Sequence, residues 1–113
     1  LYRRERGAPH LADRTVVVVD GGVATGATAR AAGRAVRRRH ARRVLFASPV
    51  VAALADPGLR IEFDEVFALE TPARLGAIRD WYASYPPVTD DDVLGYLRRA
   101  VAELPAAPVS GPA

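Results

Sequence analysis

Three short aliphatic runs, Thr15-Val16-Val17-Val18-Val19, Val44-Leu45-Phe46-Ala47 and Glu65-Val66-Phe67-Ala68-Leu69, punctuate the chain at intervals long enough to hold a helix between each pair. Continuous apolar stretches of this length, rich in β-branched residues, suit strands buried on both faces of a parallel sheet. Between the first two, Ala27 to His40 has few helix breakers and many strong helix formers. The strand-helix-strand span is close to the roughly 30 residues of a βαβ crossover. The pattern predicts an α/β chain whose parallel sheet carries helices on either side.

Later segments follow the same logic. Pro49 to Ala55 reads as a short helix closed by a turn at Asp56-Pro57-Gly58. Thr89 before Asp90-Asp91-Asp92 has the form of an N-cap with acids over the first turn, opening a helix through Val93, Leu94, Leu97 and Val101. With 113 residues, one core over residues 1–104 is expected, followed by a Pro-rich tail over 105–113 expected to be disordered. A sheet of three strands leaves an edge open and one helix layer thin. A second copy of the chain, or a partner chain, would cover that edge.

Composition narrows the chemistry. Cysteine is absent, which excludes disulfides and thiolate metal sites among these residues. No apolar run approaches the roughly 20 residues that span a bilayer, and Leu1-Tyr2-Arg3-Arg4-Glu5-Arg6 lacks the apolar core of a secretion signal, so a soluble, cytoplasmic protein with no membrane partner is expected. All sixteen basic side chains are Arg, interleaved with thirteen acids for a net charge of +3, too balanced for a general nucleic-acid footprint.

The chemistry concentrates after the first run, where the sequence reads Asp20-Gly21-Gly22-Val23-Ala24-Thr25-Gly26-Ala27-Thr28. Ligands of open α/β sheets bind just past the carboxyl ends of the strands. A carboxylate at Asp20 can accept hydrogen bonds from vicinal sugar hydroxyls. Gly22 and Gly26 permit unusual backbone angles and keep side chains away, so that successive N–H groups can converge on one anion. Thr25 and Thr28 add hydroxyls, and the following helix turns its positive end to the same place. These residue types in this order predict a cradle for the phosphate of a phosphorylated sugar.

The segment Val16 to Thr28 resembles the signature of type I phosphoribosyltransferases, in which aliphatic residues precede two acids, then small residues and Thr-Gly-x-Thr. Val44 to Val50, Asp64-Glu65-Val66, Thr71-Pro72, Trp81-Tyr82 and Asp90-Asp91-Asp92-Val93 extend the likeness to a bacterial group of phosphoribosyltransferase-like proteins, sometimes fused to hydrolase domains. The resemblance covers most of Arg3 to Leu97. It implies a Rossmann-like α/β fold, incomplete because the family's upstream half, with its pyrophosphate loop, has no counterpart here. It also implies transfer of a phosphoribosyl group from phosphoribosyl pyrophosphate to a nitrogenous base. Asp20 would orient the ribose as the catalytic-site acid, and Asp20, Gly21, Gly22, Val23, Ala24, Thr25, Gly26, Ala27 and Thr28 would form the binding segment. Mg²⁺ would arrive on the pyrophosphate, with no metal site of the protein's own. The family's second acid falls at Gly21.

Two other readings compete. A non-catalytic module that binds a phosphosugar or nucleotide is the first, and Gly21 favours it. The second is nucleic-acid binding through Arg34, Arg37, Arg38, Arg39, His40, Arg42 and Arg43; no aromatic residue interleaves there to stack on bases, so a solvated helix end is the simpler reading. His10 and His40 lie too far apart in sequence to suggest a metal site. Asp90 to Asp92 read as capping acids, ahead of a cation site, and Trp81, Tyr82 and Tyr85 as packing residues, ahead of a place flanking the ligand cleft.

Overall fold

The computed structural model describes residues 9–103; the Arg3-Arg4-Glu5-Arg6 stretch and the tail expected to be disordered lie outside them. Two compact units divide the chain, one spanning His10–Tyr85 and the other holding Pro9 and residues 86–103. In the larger unit, strand β1 (Thr15–Val19), helix α1 (Ala27–Arg38), strand β2 (Arg43–Val50), helix α2 (Asp56–Glu62) and strand β3 (Glu65–Glu70) follow in order. A 3₁₀ turn at Ile78–Trp81 follows them. The sheet is entirely parallel in the order β1-β2-β3, with Val17 opposite Leu45 and Phe46 opposite Val66.

The core lies on one face. Val44, Phe46 and Val66 meet Ala29 from α1 and Leu59 from α2, with Val23, Val51, Ala55 and Phe63 completing the cluster. Phe46 and Phe63 pack ring to ring with centroids 5.1 Å apart. On the opposite face Val19 is 73% and Leu69 84% exposed, with Val17 and Phe67 also open. The expected burial on both faces is therefore corrected for this unit. Both crossovers advance in one direction, β1 to β2 to β3, and a right-handed connection in a constant direction returns each helix to the same side.

A second correction concerns residues 49–58. Pro49 lies in β2, and Asp56-Pro57-Gly58 opens helix α2 instead of ending one. Proline suits a first helical turn because its missing N–H would have no partner there. Pro49 is tolerated past the last β1–β2 pair, Val19 with Ala47, while pairing with β3 steps over it from Ser48–Ala68 to Val50–Glu70.

Helix α1 carries a glycine in its middle for a packing reason. A Cβ on Gly33 would stand 2.8 Å from Cζ of Phe63, whose ring is held against Phe46 and cannot retreat. Gly33→Ala gains about 0.5–1 kcal/mol of helix propensity. It loses about 1–3 kcal/mol to overpacking, so urea titration is expected to show a net loss of about 1–2 kcal/mol. At the other end of α1, His40 adopts φ 64° and donates its N–H to Arg37 O at 2.9 Å, closing the helix with a left-handed residue.

Carboxylates tie α1 and β2 to the α2–β3 corner. Asp64 accepts the Val44 N–H at 2.8 Å and Arg37 at 3.2 Å, and both hold its carboxyl below the usual range. Arg34 at 2.8 Å and Arg30 at 3.3 Å do the same for Glu62. Unfolded carboxylates titrate near about 4, so below that pH the unfolded chain binds more protons than the folded one. Melting temperature should be level above about pH 5 and fall below about pH 4. Asp64→Asn should make the acid-side fall shallower; an equally steep fall would show that this carboxylate does not carry it.

In the smaller unit, helix α3 (Asp90–Glu103) opens on a reciprocal capping box. The Thr89 hydroxyl accepts from the Asp92 N–H at 3.1 Å, and Asp92 Oδ2 accepts from the Thr89 N–H at 3.0 Å. Among the described residues no helix is long and apolar enough to cross a membrane.

Candidate functional site

The chain leaving β1 turns at Asp20 and crosses the carboxyl end of the sheet before entering α1. Asp20 donates its N–H to Ala47 O at 3.2 Å, extending the ladder by one bond, and its Oδ1 accepts the N–H of Gly21 at 2.7 Å. Val23 then rejoins the sheet, pairing in parallel with Val51 and donating to Val50 O at 3.0 Å. Between Val23 and α1 the backbone is free of the ladder. Thr25 accepts a long bond from the Ala27 N–H at 3.4 Å, and Gly26 turns the chain with φ 85°.

This path encloses a pocket of about 190 Å³ lined by Asp20, Gly22, Val23, Ala24, Thr25, Gly26, Ala27, Thr28 and Ala29. Gly21 is not among the lining residues, and Ala29, absent from the expected segment, is. The amides divide into two groups. Those of Gly21 and Val23 are committed to Asp20 and Val50. Those of Ala24, Thr25 and Gly26 have no protein partner among the described residues, and the first-turn amides of α1 have none within their helix. Donors without partners at the positive end of a 12-residue helix attract an anion.

The two glycines serve different purposes. Gly26 needs its left-handed φ, which costs other L-residues about 1–2 kcal/mol. Gly22 has no unusual φ; it needs room, because a Cβ there would fall 2.8 Å from Ile78 Cγ2. The segment after β3 thus folds against the loop, with Trp81 anchored by its Nε1–H to Leu75 O at 2.7 Å and the Tyr82 hydroxyl donating to Gly21 O. Sequence reasoning assigned Ile78 no part here and favoured packing for Tyr82 over a place flanking the ligand cleft. Their contact spans more than fifty residues of chain, and no local pattern announces it.

Arg34, Arg37 and Arg43 of the arginine patch enter ion pairs, and so does Arg30 outside it. Arg30 and Arg34 bind Glu62, Arg37 binds Asp64, and Arg43 binds Glu65 at 2.7 Å. Arginines held by acids have less to offer a phosphate backbone. Among the described residues no group of three or more His, Cys, Asp or Glu could hold a metal ion.

Fold and site together define an open parallel α/β protein with a pocket of amides, unpartnered among the described residues, at the carboxyl end of its first strand. In sequence the chain is 38% identical over 104 residues to a Mycobacterium tuberculosis protein, from strains CDC 1551 and H37Rv, named putative phosphoribosyl transferase; the match takes 88% of this chain and 22% of that relative. In structure it resembles TT1426 from Thermus thermophilus, known from a crystal structure, with TM-score 0.81 and 40% identity over 87% of this chain and 47% of the other. The chain thus spans about a fifth of the length of the curated relatives and about half that of TT1426. No protein-family model matches it.

Proposed function

We propose that the Asp20–Ala29 pocket binds a 5-phosphorylated ribose, and that the chain contributes this site to phosphoribosyl transfer from phosphoribosyl pyrophosphate to a nitrogenous base. The carrying observation is the row of unpartnered amides at Ala24, Thr25 and Gly26 beside the mouth of α1, with one carboxylate, Asp20, at the rim. The names of the M. tuberculosis relatives support the same reading.

In this proposal the amides and the Thr25 and Thr28 hydroxyls hold the 5′-phosphate, while Asp20 accepts from the ribose hydroxyls. Fixing both ends of the sugar sets C1 for in-line displacement of pyrophosphate, so the contribution of these residues is positioning. Asp20 is the sole acid lining the pocket among the described residues, which suits Mg²⁺ arriving on the pyrophosphate and neutralising the leaving group. The protein is proposed to work in the cytoplasm.

Calorimetric titration of ribose 5-phosphate, ribose and inorganic phosphate tests the site. Ribose 5-phosphate should bind more tightly than either part, and Mg²⁺-phosphoribosyl pyrophosphate should bind as well. No binding of any phosphorylated ligand would end the proposal. A pyrophosphate-release assay over several bases then separates transfer from the second reading, a non-catalytic phosphosugar module, which the missing carboxylate at Gly21 favours.

A further inference from the structure

Position 21 has no side chain, yet it is not surrounded by solvent alone. A Cβ built on Gly21 would lie 3.5 Å from the Tyr82 hydroxyl and 4.0 Å from the Tyr85 hydroxyl, so two phenol oxygens approach the place where a second carboxylate would begin. The two rings pack at 5.1 Å between centroids with a 53° tilt. Tyr82 gives its proton to Gly21 O, and its remaining lone pairs are then available as acceptors. Beside them, Asp20 spends Oδ1 on the Gly21 N–H, while Oδ2 has no protein partner among the described residues.

From this arrangement we infer that Tyr82 and Tyr85 determine recognition of the sugar: their hydroxyls accept from a ribose hydroxyl beside Asp20, in the place of the carboxylate that Gly21 lacks. The inference rests on the sugar-phosphate reading of the pocket and adds, next to Gly21 and outside the lining residues, the hydroxyls that select ribose. A vicinal diol offers two donors, and Asp20 Oδ2 with one phenol oxygen supplies two acceptors. Phenols are uncharged, so each is worth less than a carboxylate. The packing reading of these aromatics accounts for the rings but not for two hydroxyls approaching one glycine.

The test compares ribose 5-phosphate with inorganic phosphate, which shares the cradle but has no diol. Tyr82→Phe and Tyr85→Phe should each weaken ribose 5-phosphate by about three- to tenfold while leaving inorganic phosphate unchanged. Gly21→Asp introduced into the double Phe variant should restore the preference for the sugar. A preference unchanged in both single variants would overturn the inference, as would a parallel loss for both ligands, the mark of a merely structural role. Wild-type protein that binds inorganic phosphate but shows no preference for ribose 5-phosphate would overturn it too. Wild-type protein that binds neither ligand would instead end the underlying reading of the pocket, and the inference with it.

Discussion

Asp20→Asn should weaken ribose 5-phosphate by about ten- to a hundredfold, because a hydrogen bond to a charged group is worth about 1.5–3 kcal/mol and each 1.4 kcal/mol is tenfold in affinity. The substitution is conservative where the loop needs it to be. An asparagine oxygen can still accept the Gly21 N–H that Asp20 Oδ1 takes at 2.7 Å, so the turn out of β1 keeps its shape. What disappears is charge facing the sugar hydroxyls. The same change removes a negative group near the phosphate, so inorganic phosphate should bind as well as before or slightly better. A loss confined to ribose 5-phosphate would locate Asp20 at the sugar end of the pocket; a loss shared by both would place it elsewhere.

Leu59→Ala should cost about 2–5 kcal/mol, a large share of the 5–15 kcal/mol by which ordinary domains are stable. Leu59 is fully buried and belongs to the cluster that joins α1, α2, β2 and β3. Its Cδ2 would also lie 3.5 Å from a Cβ on Gly26, so it backs the turn that starts α1. A cavity there loosens the wall behind the pocket as well as the core. Urea unfolding should show a lower midpoint with an unchanged slope; a loss below about 1 kcal/mol would mean that the site collapses around the deletion or that this cluster is not the centre of the core.

Much of this architecture is legible in the residues because each strand announces itself by local composition. Thr15 to Val19 is β1 to the residue, and Ala27 begins α1 where the Thr-Gly loop ends. Pro49 misled for a physical reason: proline normally interrupts a ladder, and only the pairing that steps over it shows that this one does not. The open face of the sheet is hidden differently. Val17 and Val19 have the same chemistry as Val16 and Val18, and only the direction of the crossovers decides which pair a helix covers. Within the site, Asp20 and the Gly26 turn are readable from residue type and order. Gly22 was expected to serve through its backbone angles, whereas its actual constraint is Ile78, more than fifty residues away. The ion pairs that occupy Arg30, Arg34, Arg37 and Arg43 are equally non-local, joining α1 and β2 to acids at the α2–β3 corner.

Amide NMR of ¹⁵N-labelled protein titrated with ribose 5-phosphate reads the cradle residue by residue. The expected result is a saturable shift of the Ala24, Thr25, Gly26 and Thr28 N–H signals, with the Val23 signal, bonded to Val50 O, moving far less. Saturation with those four signals unmoved, or shifts confined to the arginines around Glu62 and Asp64, would contradict an anion held by the loop after β1.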